Sequence, residues 1–484
     1  MEITENYKDI EKKSAKGIKW VGIAELFIRL FQFGTTIILA RILQPEDFGI
    51  IGIVLIFTQL IYVLFDFGFS TALIQKKHTD DDHFSTTFVV NMISAGIFAV
   101  LVLLSSAAIS EYFRMIQLNA ILKVLTIVFF FYGINAIPVV RLMKDMRFRL
   151  LSALQMVAVL GYALVTVSFV AQGAGVWSFV YGIIAEQVIL TLLLLIFAWW
   201  KIRIRFNFKI FKELFSFGGN VFGMRVAAYV NANSPGFIIG KVLGAAQLGF
   251  YSIAYQLIEF PVQRIAKNVL KVMFPAFSKL QDDPDNYKIL YKKTLYHLML
   301  LTFPIFAGLA VIAPQFIRLV YGEKWIIAIL PLQILTFAGL IRTLWVLNSA
   351  IFLSKGRPDI ELKINLVYFA FLIPSVIIVS PSGIVNVALT VSGVMFIFWI
   401  IALFKALGLI QMKPGEIMYV FSVPMLGVVS FVLFDLFIKY RFLRDASDLF
   451  QLLVTIVVSI IIYVLIVLKF DRDILRKIMK FVIA

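Results

Sequence analysis

The chain contains no cysteine and only three histidines. The absence of cysteine excludes disulfides, thiolate metal sites and cysteine nucleophiles. The histidines, His78, His83 and His297, are scattered along the chain and lack the spacing of zinc ligands. We therefore expect neither a metal site nor a bound cofactor.

Charged residues are also scarce. They make up 15% of the 484 residues, whereas 61% are hydrophobic. A soluble domain has about 25% charged and about 45–50% apolar residues. A soluble protein of this composition could not cover its surface, so the sequence predicts an all-α polytopic membrane protein.

Long polar loops and nucleotide-binding glycine motifs are missing as well. The predicted outer loops are as short as "AQGAG", "GEK" and "SPSG", which leaves no room for an outer catalytic domain. No Walker A motif is present, so direct ATP drive within this chain is excluded. We expect a protein that is not an enzyme.

Apolar segments long enough to cross a bilayer recur about fourteen times. The eighth is the weakest, because it is amphipathic. The predicted spans are 18–40, 48–66, 85–109, 119–139, 151–171, 177–199, 214–240, 247–265, 295–320, 325–352, 363–380, 383–404, 416–438 and 448–468.

These spans predict two six-helix bundles around a central cavity, followed by two C-terminal helices. The segments are a cytoplasmic tail (1–17), a first bundle (18–200), a basic cytoplasmic linker (201–213), a second bundle (214–405), the two last spans (416–468) and a cytoplasmic tail (469–484).

The basic residues are distributed unevenly between the two sides of the predicted membrane. With the N-terminus inside, 33 of the 45 Lys and Arg residues fall on the cytoplasmic side and nine on the other. This strong positive-inside bias predicts that both termini are cytoplasmic. The formal net charge of +17 therefore reflects topology and the anionic inner leaflet, and does not require nucleic acid as a partner.

A segment near the start of each predicted bundle is repeated at an offset of 200 residues. Residues 38–53, "ILARILQPEDFGIIGI", resemble residues 238–253, "IIGKVLGAAQLGFYSI". Gly49 and Ile53 are among the four positions that are identical in both copies. The repeat favours two halves related by an axis along the membrane normal, as in transporters that rock around a central site.

The three basic residues not assigned to a loop are Arg29, Arg225 and Arg342, each near the middle of a predicted span. A charge at that depth costs at least about 2.5–3.5 kcal/mol. The three arginines therefore predict a wet, cationic interior that an anionic substrate visits.

Other polar residues accompany these arginines. Glu25 precedes Arg29 by one helical turn, so the two either form a structural ion pair or share a cavity wall. Span seven carries Asn220, Asn231 and Asn233 beside Arg225, which suits a cavity wall or hydrogen bonds between helices.

Glu259 lies in the amphipathic eighth span. It is expected either to carry a coupling H⁺ or Na⁺ or to form a salt bridge with Arg225 or Arg264.

Two segments carry a family resemblance. "ARILQPEDFGIIGIVLIFTQLIYVLFDFGFSTALIQKK" resembles the first hairpin of bacterial polysaccharide exporters, and "FPAFSKLQDDPDNYKILYKK" resembles their loop after span eight. These exporters are the Wzx-type flippases for O-antigen, colanic acid and teichuronic acid units, within the MOP exporter superfamily.

The resemblance implies a flippase that moves an undecaprenyl-pyrophosphate-linked oligosaccharide from the inner to the outer leaflet of the bacterial inner membrane. Its implied partners are this lipid-linked substrate, membrane lipids, and polymerase and chain-length proteins. Arginines lining the cavity are a feature of the lipid II flippases in the superfamily. Arg29 corresponds to them by span, Arg225 by region, and Arg342 is carried over with them.

Two other functions are compatible with parts of the sequence. A cation-coupled small-molecule or multidrug exporter of the same superfamily would share the fold, although central arginines do not suit cationic drugs. An O-antigen ligase or polymerase would need a larger outer loop than this chain has.

Overall fold

The computed structural model describes residues 2–65, 67–76, 79–199 and 204–471. Within these ranges, the side chains of residues 2–16, 18, 217–221, 224, 227, 228 and 267 lie outside the description. The described backbone contains helices and connecting turns and no strand, which confirms the all-α class.

The first part of the chain forms seven long helices and one short one. They are α1 (Glu2–Ile42), α2 (Pro45–Phe65), α3 (Phe69–Gln75), α4 (Asp81–Phe113), α5 (Ile116–Lys144), α6 (Phe148–Ala171), α7 (Trp177–Phe197) and α8 (Phe208–Val242). The backbone is thus helical through most of the predicted tail 1–17, and α8 begins inside the predicted linker 201–213.

The rest of the described chain forms seven further α-helices. They are α9 (Ala245–Lys279), α10 (Pro284–Phe316), α11 (Ile329–Ser354), α12 (Pro358–Val379), α13 (Ile384–Leu409), α14 (Gly415–Arg441) and α15 (Asp448–Phe470). A π-helical turn (Ile317–Tyr321) extends α10, and short 3₁₀ helices (Glu323–Ala328 and Ser380–Ser382) precede α11 and α13.

The fourteen long helices of the described chain correspond one for one to the fourteen predicted spans. Twelve of them are long and apolar enough to cross a membrane. The other two, α8 and α9, have 35 residues each, or about 50 Å at 1.5 Å per residue, but are more polar. They are the predicted seventh and eighth spans, and they hold Arg225 and Glu259.

Local sequence signals explain where several helices begin. The Asp80 side chain accepts the backbone N–H of His83 at the start of α4, and Asn207 accepts two backbone N–H groups at the start of α8. Asp283 caps α10, whose first residue is Pro284. Such side chains satisfy N–H groups that have no partner inside the helix.

The chain divides into two compact units, Met1–Gly249 and Phe250–Ala484. In the first unit α8 packs against α2, α3 and α4, so it joins the helices that precede it. The sequence-based division into bundles at residues 18–200 and 214–405 stays a prediction.

The second unit ties its last two helices to α10 through polar contacts. Asp435 of α14 is 1% exposed and accepts a hydrogen bond from Ser459 of α15 (2.5 Å). Lys439 donates to Gln315 of α10 (3.2 Å), and Gln315 donates to Gln451 of α15 (2.9 Å). Because hydrocarbon offers these groups no partner, the contacts hold α14 and α15 on α10.

The repeated segments touch each other reciprocally. A Cβ atom built on Gly49 would lie 1.9 Å from the carbonyl oxygen of Ala245, and one built on Gly249 would lie 2.0 Å from that of Pro45. Exchanging the two copies converts one contact into the other, as expected for a two-fold relation between them. Only glycine permits this approach of the helix backbones.

We expect Gly49→Ala and Gly249→Ala each to lower the free energy of unfolding by about 3 kcal/mol, because the added methyl group meets backbone atoms that cannot rotate away. Thermal unfolding in detergent, followed by tryptophan fluorescence, measures the effect. Gly96→Ala in α4 is the matched control, since no atom lies within 4 Å of its Cβ position. Equal melting temperatures for all three variants would contradict the reciprocal contact.

Candidate functional site

The second unit contains an ion pair between two predicted site residues. Arg342 of α11 donates through Nη1 to the Glu259 carboxylate of α9 (2.5 Å) and to the Tyr255 hydroxyl (2.9 Å). The Arg342 and Glu259 side chains are 30% and 27% exposed. The salt bridge expected for Glu259 is therefore present, but its partner is Arg342 in place of Arg225 or Arg264. As long as it is closed, the pair carries no net charge.

The partners of Arg342 lie on one face of α9. Tyr255, Glu259 and Gln263 follow each other at four-residue intervals, and Gln263 donates to Glu259. Residues at this spacing are neighbours along a helix. The Tyr255 ring also stacks on Tyr251 of the preceding turn, with ring centroids 6.0 Å apart. Gln263 thus holds Glu259 along its own helix, and a carboxylate oxygen of Glu259 faces Arg342.

In the first unit, Arg225 of α8 has a neutral hydrogen-bond partner on another helix. Its Nη2 donates to the Thr71 hydroxyl of α3 (2.9 Å), and the Arg225 side chain is exposed. A hydroxyl orients the guanidinium without cancelling its charge. This contact is therefore a neutral one, in contrast to the ion pair of Arg342.

The structure describes the side chains of two of the three asparagines predicted beside Arg225. Asn231 and Asn233 are half-buried. Asn233 donates to the Tyr229 carbonyl of its own helix (2.9 Å), so this contact lies within α8 and does not join two helices. Pro235 is buried inside α8 two residues later. The side chain of Asn220 lies outside the described ones.

Arg29 and Glu25 both lie on the exposed face of α1, together with Leu26 and Leu30. This face is not covered by the rest of the described first unit. Arg29 and Arg225 thus belong to the first unit, and Arg342 and Glu259 to the second.

A cavity of about 650 Å³ lies in the first unit beside α3. Its lining combines basic and acidic side chains with a phenylalanine: Lys76, Thr79, Asp80, His83, Phe84, Arg141, Lys144 and Asp145. The hydrogen bond with the His83 side chain, assisted by the His83 backbone N–H, lowers the pKa of the Asp80 carboxyl below its usual value. Asp80 therefore stays ionised, and the lining has mixed charge.

Sequence reasoning missed two residues of these clusters. Thr71 lies on α3, a helix that was not predicted. Tyr255 could have been found from its spacing, because it lies one helical turn before Glu259 on an amphipathic helix. No spacing in the sequence connects Arg342 with α9, because 83 residues separate it from Glu259.

The chain is similar in sequence to known proteins of one family. The family model for "Polysaccharide biosynthesis protein" matches residues 38–330. The teichuronic acid biosynthesis protein TuaB of Bacillus subtilis (strain 168) is 27% identical over 72% of this chain and 73% of its own. The lipopolysaccharide biosynthesis protein WzxC of Escherichia coli (strain K12) is 27% identical over 76% of this chain and 75% of its own.

A solved structure shares the fold. The lipid II flippase MurJ, in an inward closed conformation, superimposes with a TM-score of 0.75 at 18% identity, covering 95% of this chain and 100% of the MurJ chain. The family match and the two relatives confirm the resemblance to polysaccharide exporters. Since the family model covers more than half of this multi-pass membrane protein, the chain belongs to the family of polysaccharide biosynthesis proteins.

Proposed function

We propose that the protein is a flippase for undecaprenyl-pyrophosphate-linked oligosaccharide repeat units, which it carries across the inner membrane by alternating access. The observation that carries the proposal is the match to the polysaccharide biosynthesis family over residues 38–330, in a chain whose predicted spans contain Arg29, Arg225 and Arg342. Such a protein binds and releases its substrate without making or breaking a covalent bond, so we assign it no enzymatic activity.

The chemistry of the substrate headgroup suits these side chains. A guanidinium offers a planar fork of donors, remains charged at any working pH and pairs with phosphate oxygens in two parallel hydrogen bonds. Arg225 is a candidate for the pyrophosphate, because its guanidinium is exposed on α8. Arg29 would add a second cation, since its side chain is exposed on α1.

The distribution of basic residues supports a membrane location and an orientation for the protein. The excess of 33 over nine basic residues supports a bacterial inner-membrane location with both termini in the cytoplasm. We propose that the substrate enters from the cytoplasmic leaflet, that membrane lipids cover the apolar helices, and that polymerase and chain-length proteins act on the exported unit.

Coupling to an ion gradient is proposed at Glu259. The charged and titratable groups described around it are Arg342 and Tyr255. When H⁺ binds, or Na⁺ replaces Arg342 at the carboxylate, the arginine is released from its partner and becomes able to bind phosphate. When the ion leaves, Glu259 takes Arg342 back and the phosphate is expelled. The ion pair thus links ion binding to substrate binding.

Replacing Arg225 tests the substrate site. We expect Arg225→Ala to lower export of the repeat unit by about 10-fold or more, because a hydrogen bond to a charged group contributes about 1.5–3 kcal/mol. Arg225→Lys should retain part of the activity, since it keeps the charge and loses the fork. Surface polysaccharide and inner-leaflet lipid-linked units, measured in a deletion strain complemented with each variant, report the effect.

The matched control is Arg205→Ala, which removes an exposed arginine whose described ion pair with Asp82 is 4.0 Å long. Its export should equal that of the unchanged protein. Normal polymer output after replacing Arg29, Arg225 and Arg342 together by alanine would contradict the cationic substrate site.

Replacing Glu259 tests the coupling. We expect Glu259→Gln to lose the dependence of transport on an imposed proton or sodium gradient in proteoliposomes, because the neutral amide no longer holds Arg342 by charge. Glu259→Asp should keep the dependence. Comparing proton and sodium gradients identifies the ion.

Glu361→Gln is the control for this experiment, since Glu361 is a half-buried acid of the same unit that accepts a hydrogen bond from neutral Ser349. If the Glu259→Gln variant responds to the gradient like the unchanged protein, Glu259 is not the coupling site.

A further inference from the structure

The cavity of the first unit lies where α3 ends, α4 begins and α5 ends. Its volume of about 650 Å³ falls within the range of roughly 300–1,000 Å³ that is usual for small-molecule sites. In the proposed orientation these helix ends face the cytoplasm. A ligand of the cavity would therefore lie at the level of the lipid headgroups of the inner leaflet.

Two of the three basic side chains in the lining are already bound to other groups. Lys76 forms a salt bridge with Glu213 of α8. The Lys144 ammonium donates to two backbone carbonyl oxygens at the end of α3 (2.8 and 3.2 Å) and to the Thr79 hydroxyl (2.6 Å). These contacts use all three of its N–H donors, so Lys144 has no donor left for a ligand.

One of the two acidic side chains is bound as well. The Asp80 carboxylate contacts Nδ1 of His83 (2.5 Å) and accepts the His83 backbone N–H (3.0 Å). Because Asp80 is ionised, the proton of the first contact lies on Nδ1. Nε2 of the same ring is buried and has no partner among the described residues. A hydrogen-bonding group of a ligand that reaches the ring would satisfy it.

Two charges of opposite sign are left in the lining, one helical turn apart. The Arg141 guanidinium lies over the Phe84 ring, 5.1 Å from its centroid, a contact that keeps its charge. Asp145 lies at the end of α5, and its side chain is exposed. Within the described part of the chain, neither side chain forms a hydrogen bond or a salt bridge, with the other or with a third residue.

From this arrangement we infer that the cavity binds a zwitterionic phosphate–ammonium group, the headgroup of an ethanolamine phospholipid of the inner leaflet. Arg141 binds the phosphate through its planar fork of donors, and Asp145 accepts an N–H of the ammonium. Residues one helical turn apart have Cβ atoms about 5–6 Å apart, which suits two opposite charges joined by a two-carbon chain. The inference is independent of the proposed substrate.

The two open charges decide between the possible lipids. An anionic headgroup would meet the Asp145 carboxylate as a like charge, whereas a zwitterion meets an opposite charge at each end. A lipid is favoured over a soluble zwitterion, because α4 and α5 are apolar enough to cross a membrane and the cavity lies at their ends.

Native mass spectrometry of the full-length protein in detergent tests the inference. The probes are short-chain phosphatidylethanolamine, short-chain phosphatidylglycerol and free phosphoethanolamine. We expect phosphatidylethanolamine to bind about fivefold more tightly than phosphatidylglycerol, since only the former offers an ammonium to Asp145. Free phosphoethanolamine should bind about 10-fold more weakly than the lipid, because it buries no acyl chain.

Two substitutions should affect the lipids differently. We expect Arg141→Ala to weaken binding of both lipids about 10-fold, because hydrogen bonds to the charged phosphate are lost, and Arg141→Lys to retain part of the binding. Asp145→Asn keeps the shape of the side chain. It should weaken phosphatidylethanolamine binding about threefold and leave phosphatidylglycerol binding equal or tighter, because a like charge is removed.

Arg444→Ala and Asp445→Asn are the matched controls, since they remove the same charges from the turn between α14 and α15. Each should bind both lipids like the unchanged protein. If Asp145→Asn leaves the ratio of the two lipid affinities unchanged, or if the controls weaken binding equally, the zwitterionic site is wrong. If Arg141→Ala changes neither affinity, the phosphate is not bound there. If free phosphoethanolamine binds as tightly as the lipid, the assignment to a phospholipid is overturned.

Discussion

A polar group inside a membrane must find its partner within the protein, because hydrocarbon offers none. This constraint makes the described backbone helical and explains where the polar side chains go. Asp435 meets Ser459, Asn233 bonds to its own helix, and Arg342 meets Glu259. Arg225 of the first unit likewise donates to the Thr71 hydroxyl.

The same constraint separates α8 and α9 from the other long helices of the described chain. Twelve helices are apolar enough to lie against lipid on composition alone. The two that are not carry Arg225 and Glu259, and they also contain the second copy of the repeated segment. Gly249 at the start of α9 meets Pro45 at the start of α2.

The sequence predicted most of the fold and only part of the candidate site. The apolar run at 85–109 predicted a span, and α4 occupies Asp81–Phe113. Such a run is easy to recognise, because every residue that crosses the hydrocarbon contributes to it. The seven residues of α3 were not predicted, because they are stabilised by contacts with α5 and α8 and show no periodic pattern of apolar residues. The pairing of Arg342 with Glu259 escaped for the same reason, because it depends on how two distant helices pack.

Arg342 and Glu259 show how one contact could serve a transport cycle. In the structure the Glu259 carboxylate accepts a hydrogen bond from Arg342, so the pair carries no net charge while it is closed. In the proposed coupling, an ion that binds to Glu259 would release the arginine. A cation that appears only when an ion binds would let the affinity for an anionic substrate rise for capture and fall for release within one cycle.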